Sequence, residues 1–250
     1  MIIFKYILYS FIFSYKNVVP QSKGRVSLNR RYWYVLLTYF AAYFSSLIGA
    51  PIVMGILRAV TDLSRQQIVT YSAVYWSVFS NFLAVIIIWL LLRKQAPSTK
   101  IEKGQPLPVG TSIGYAVVGV IFLFLGQYIA LFIMSIFGIT GISQNTELMS
   151  ELTRMVPIMI IFTSVLAPIL EEIIFRKIIF GELASRINIH MAAVISSVLF
   201  GLAHIDLAYL LVYVVIGLIM CYLYTKTKRI AIPIIAHILM NIIVMIPQLT

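Results

Sequence analysis

Long apolar runs alternate with short polar connectors along the chain, and the runs have the length a helix needs to cross a bilayer. The first clear one covers about 32–57, where Gly49 and Pro51 mark an expected kink, and the next two cover about 69–92 and 110–137. Four more follow at about 155–184, 189–204, 207–224 and 230–246. This pattern predicts an all-α, polytopic membrane helix bundle with seven main transmembrane helices. Residues 1–15, MIIFKYILYSFIFSY, are apolar and aromatic but short for a span and interrupted by Lys5, so they read as an interfacial segment. As a true span they would raise the count to eight. No small-residue cleavage motif follows them, so removal as a signal peptide is not expected.

The connectors set the organisation. Residues 16–31 form a basic connector in which Pro20 and Gly24 break any helix, so residues 1–31 precede a transmembrane domain over 32–250. The loop 93–109 separates a front part from a back part, and the chemistry is expected at 150–246. Composition then excludes a soluble domain: 61% of residues are apolar and 11% charged, with a mean hydropathy of +1.00. A net charge of +11 would suit nucleic acid, but the basic residues sit in short clusters between apolar runs, where they orient helices and meet anionic lipid headgroups. With the 16–31 connector placed inside, 14 lysines and arginines fall in cytoplasmic loops and three, Arg58, Arg65 and Arg154, fall outside. The expectation is a multi-pass protein of the cell membrane whose partners are the lipid bilayer and a membrane-associated substrate, not nucleic acid. The one cysteine, Cys221, permits neither an internal disulfide nor a thiolate zinc cluster. There is no internal repeat and no glycine-rich phosphate loop, and the sequence sets no oligomeric state.

The rare polar groups inside apolar runs carry the functional signal, because an ionisable side chain in a membrane is costly and marks a site. Glu171, Glu172 and Arg176 stand in APILEEIIFRKIIF. Glu172 and Arg176 are four apart on one helix face and can pair, while Glu171 points about 100° away around the helix. Phe200 and His204 are four apart near the end of the next run, and His237 and Asn241 are four apart on the last. At a rise of about 1.5 Å per residue, these groups reach compatible depths from the basic loops and can share one chamber. A carboxylate pair, two imidazoles and an amide suit peptide hydrolysis: a carboxylate takes a proton from water, a histidine shares it, and an amide or imidazole faces the oxyanion.

EEIIFR at 171–176, FGLAH at 200–204 and HILMN at 237–241 resemble the three motifs of the CAAX protease and bacteriocin-processing (CPBP, or Abi) family of intramembrane glutamic endopeptidases. The patterns EExxxR, FxxxH and HxxxN are intact and in order. The resemblance covers about 150–246 and implies a prenyl-protein endopeptidase-like fold and a metal-independent intramembrane endopeptidase without cofactor. It implies Glu171 as the base that activates water, assisted by His204, with His237 and Asn241 facing the oxyanion and Glu172, Arg176 and Phe200 in support. Peptide pheromone or bacteriocin maturation, or self-immunity, is the implied setting. Prenyl-protein cleavage is less expected, because the overall design looks like a bacterial member. The substrate segment is expected to enter from the lipid or the cytoplasmic side.

Plainer readings stand beside this one. A buried Glu–Arg pair can be purely structural, a lone His204 could cap a helix, and His190 reads as interfacial. Glu171, His204 and His237 could instead form a His₂Glu zinc set, although no HExxH motif is present. A non-catalytic membrane binding or immunity protein is the alternative of a different class, and it predicts that Glu171→Gln keeps function.

Overall fold

The computed structural model describes residues 29–93 and 99–249, and their regular structure is helical throughout. The expectations for residues 1–15 and for most of the basic connector lie outside these described residues. Helix α1 (Arg30–Phe44) begins where the Asn29 side chain accepts from the Arg31 amide at 3.0 Å. Helix α2 (Ser46–Val60) continues it after a bend of 42°. The break falls at Ser45, whose hydroxyl donates to the Ala42 carbonyl at 2.7 Å and accepts from the Trp76 indole at 2.9 Å. Gly49, expected to kink the helix, instead admits that indole: a Cβ there would lie 1.8 Å from the Trp76 ring.

Helix α3 (Arg65–Leu92) opens on a capping box between Ser64 and Gln67. Helix α4 (Val109–Ile136) follows, then a short amphipathic helix α5 (Gln144–Met155) capped by Ser143. Residues 159–186 form one continuous helical segment, α6, that changes register twice, with π-helical turns at Phe162–Leu166 and Glu172–Phe180. Helices α7 (Ile189–Ala203), α8 (Leu210–Thr227) and α9 (Ala231–Met245) complete the bundle.

The expectation of seven spans, or eight, is not met. Among the described residues three helices are long and apolar enough to cross a membrane: α3, α4, and α8 with the single turn before it (Leu207–Thr227). The bent pair α1–α2 makes a fourth if it counts as one span. Helices α7 and α9 have 15 residues each, about 22 Å of helix against a hydrocarbon core of about 30 Å. Segment α6 is interrupted by its register changes and carries Glu171, Glu172, Arg176 and Lys177. Apolar composition marked all seven runs alike, because a helix buried among other helices is as apolar as one that meets lipid.

Helix α8 lies at the centre, packed against α4, α7 and α9, with Met220 and Tyr224 fully buried. Small residues let its neighbours approach: a Cβ at Gly217 would lie 2.7 Å from that of Ser197 on α7. The bundle has two distinct ends. At one, the loop after α3 is tied to the ends of α6 and α8, where Lys177 pairs with Glu102 at 2.5 Å and Arg229 donates to the Leu107 carbonyl at 3.2 Å. At the other, the Ser143 hydroxyl donates to Asp206 at 2.7 Å and joins the start of α5 to the turn after α7.

Candidate active site

Pro168 shapes the segment that carries the glutamates. It has no N–H to donate, and upstream of it the helix widens to i→i+5 bonding, shown by the Ala167 amide bonded to the Phe162 carbonyl. In that register the missing donor is the one that would have served Thr163. The Asn241 side-chain amide takes its place, donating to the Thr163 carbonyl at 2.8 Å. The second π-helical stretch is also held from outside, by the Ser196 hydroxyl donating to the Phe175 carbonyl at 2.7 Å.

The two adjacent glutamates are in different surroundings. Glu172 is wholly buried, and its Oε1 meets the equally buried Arg176 guanidinium at 3.1 Å and His237 Nδ1 at 2.9 Å. Arg176 also lies over the Phe200 ring, 4.2 Å from its centroid. An ionised Glu172 only accepts hydrogen bonds, so Nδ1 of His237 carries the hydrogen. His237 then presents Nε2 to Glu171, whose Oε2 is 3.8 Å away. That is too long for a direct hydrogen bond and leaves a gap that one water can share. Glu171 keeps 19% of its side chain exposed, and it faces a cavity of about 740 Å³.

The cavity gathers the residues the sequence singled out. Glu171, Phe200, His204, His237 and Asn241 line it, while Glu172 and Arg176 sit behind its floor with no exposure. His204 donates from Nδ1 to the Phe200 carbonyl at 2.8 Å, which leaves Nε2 as its acceptor nitrogen. It joins Glu171 through the cavity both line rather than by a direct bond. Asn241 and His237 share a helix face as expected, yet each is engaged by a different part of α6.

Sequence reasoning passed over several residues that complete the chamber. Tyr213 stacks on His204 with ring centroids 4.0 Å apart, and its hydroxyl meets Ser143 at 3.0 Å and Asn145 at 3.4 Å. Tyr39, Asn81 and Gln127 line the cavity from α1, α3 and α4. A polar side chain inside an apolar run was the signal for Asn81 and Gln127; Tyr213 gave none, since tyrosine is common in membrane helices. Among the described residues no three His, Cys, Asp or Glu side chains converge as a metal-binding group.

A helical membrane bundle that sets one glutamate, two histidines and an asparagine around an internal cavity, with a second glutamate buried behind it, has the groups an intramembrane hydrolase needs. Comparison with known proteins agrees. The family model of the Type II CAAX prenyl endopeptidase Rce1-like proteins matches residues 153–243, which span all three motifs. YdiL of Bacillus subtilis (strain 168) is 40% identical over 223 residues, covering 89% of this chain and 91% of its own. The membrane-embedded CAAX protease MroQ of Staphylococcus aureus (strain USA300) is 35% identical over 187 residues, 72% of this chain and 76% of its own. The chain belongs to the CAAX protease (Abi/CPBP) family, related to the Rce1-like endopeptidases, and is an intramembrane endopeptidase of that class. No solved structure matches it.

Proposed function

We propose that the protein hydrolyses a peptide bond of a membrane-associated peptide or protein with a water activated by Glu171. Residues 150–246 supply the chemistry, and the preceding helices supply the cavity wall. A water held between the Glu171 carboxylate and His237 Nε2 loses a proton to Glu171, and its oxygen attacks the substrate carbonyl carbon. His204, with Nε2 free to accept, assists by sharing that proton. The oxyanion of the tetrahedral intermediate faces Asn241, which keeps a second amide hydrogen beyond the one given to Thr163, and His237, whose Nε2 donates there once it has taken up a proton from the attacking water. As the C–N bond breaks, the proton returns from Glu171 to the leaving amine, giving a new carboxyl and a new amino terminus. Glu172 and Arg176 act through His237: the carboxylate fixes the ring, and the guanidinium offsets the buried negative charge.

One observation carries this reading. Of two adjacent carboxylates, Glu172 is consumed by Arg176 and His237, while Glu171 faces the cavity without a close partner. The absence of a convergent three-ligand set among the described residues also favours glutamate over zinc chemistry. Peptide pheromone or bacteriocin maturation, or self-immunity, is the setting the family resemblance supports. The test compares peptide termini in membranes from cells making the wild type and an equally abundant Glu171→Gln variant. New termini that appear only with the wild type support the proposal and identify the cleaved bond. Identical termini in both, with cellular function kept by Glu171→Gln, leave a non-catalytic binding or immunity protein.

A further inference from the structure

The cavity has a closed end and an open end. Its floor is formed by Glu171, Phe175 and His237, and behind them Glu172 and Arg176 seal the bundle with no exposed surface. Its rim includes Gly141, Ile142, Gln144 and Ile205, with Ile142 and Ile205 exposed at 70% and 78%. The mouth therefore lies at the end where Ser143 and Asp206 join the start of α5 to the turn after α7. Ile205 holds that turn in the left-handed region, with φ of 54°. A β-branched residue is rarely found there, and it brings Ile205 to the rim beside His204.

Charge distinguishes the same two ends. Apart from the central Arg176, the described residues include 13 lysines and arginines, of which only Arg58, Arg65 and Arg154 lie at the mouth end. The other ten lie at the closed end, around the loop that Lys177, Lys228 and Arg229 tie down. The acidic residues outside the site run the other way: Asp62, Glu147, Glu151 and Asp206 at the mouth end, Glu102 and Glu182 at the closed end. Lysine and arginine near helix ends are retained on the cytoplasmic side of a membrane, which places the closed end there.

We infer that the active-site cavity opens on the non-cytoplasmic face of the membrane, so that its substrate is a segment already translocated or emerging on the outer side. Of the two routes expected from sequence, from the lipid or from the cytoplasmic side, this replaces the cytoplasmic one. A peptide and its water reach Glu171 through the mouth without crossing the basic end, and the new termini leave by the same route. That a peptide passes through rests on the peptidase reading; the side on which the mouth opens does not.

The test uses the full chain in a Cys221→Ala background, with single cysteines at Ile142→Cys, Ile205→Cys, Lys100→Cys and Ser185→Cys. Each variant is treated in intact cells with a membrane-impermeant maleimide and compared with its total labelling after denaturation in detergent. The expected result is labelling of Ile142→Cys and Ile205→Cys in intact cells, with Lys100→Cys and Ser185→Cys labelled only once the membrane is opened. The reverse pattern, or rim positions protected in intact cells but fully labelled after denaturation, overturns the inference. Adding Glu171→Gln leaves the labelling pattern unchanged, so a failure of the peptidase reading and a failure of the sidedness are seen in separate measurements.

Discussion

His204 is positioned by three contacts, two of them from Phe200 of its own motif and one from outside it. The Phe200 carbonyl holds Nδ1, the Phe200 ring meets the imidazole edge-on at 4.7 Å, and Tyr213 stacks on its face. Tyr213 is in turn fixed by Ser143, which is held by Asp206. With His204 in the role proposed for it, Tyr213 is a positioning residue that acts through it. Stacked aromatic pairs are worth about 0.5–1.5 kcal/mol beyond area burial. Tyr213→Ala is therefore expected to lower kcat by roughly 2–10-fold with KM little changed. Tyr213→Phe, which keeps the stack, should recover most of that loss, whereas equal losses in both would assign the effect to the hydroxyl. The motif residues were legible in the sequence because ionisable groups are conspicuous in apolar runs. Tyr213 and Ser143 were not, since their meeting joins positions 70 apart and no local pattern encodes it.

Among the elements, α6 departs furthest from what its sequence suggested. The i, i+4 rule placed Glu172 with Arg176, and the pair forms even within a π-helical stretch. The register changes themselves were hidden, because a wide turn depends on partners from other helices as much as on Pro168. Asn241 is such a partner, and its bond to the Thr163 carbonyl couples α9 to the turn just before the glutamates. Asn241→Ala removes the donor from a buried carbonyl and should cost about 1–3 kcal/mol. In a Pro168→Ala background the restored N–H can serve that carbonyl instead, and the cost of Asn241→Ala should fall to a few tenths of a kcal/mol. Thermal unfolding of the four proteins in detergent measures this coupling. Full additivity would show that Asn241 and Pro168 do not share the Thr163 carbonyl.

For the whole molecule, composition was enough to give the class but not the number of crossings. Helices α7 and α9 are short and are held at the site by their neighbours, α7 chiefly by α8 and α9 by α4, α6 and α8, so the proposed catalytic geometry depends on how closely these helices pack. At Gly217 α8 lies close against the backbone of α7: an added Cβ would lie 2.7 Å from Ser197 Cβ and 2.9 Å from its Cα. Backbone that close cannot be relieved by a rotamer change, so Gly217→Ala must push α7, and with it Phe200 and His204, away from the centre. Overpacking of this kind costs about 1–3 kcal/mol, and lower abundance and a lower Tm are expected together with reduced cleavage. Gly114→Ala is the matched control, because nothing lies within 4 Å of a Cβ built there and the substitution removes backbone freedom from the unfolded chain. Ser197→Gly in the Gly217→Ala background removes the contacts to Cβ and Oγ but leaves the Cα at 2.9 Å, so it should restore part of both Tm and cleavage. If the double variant regains stability but not cleavage, close packing of α7 on α8 holds the fold together without setting the position of His204.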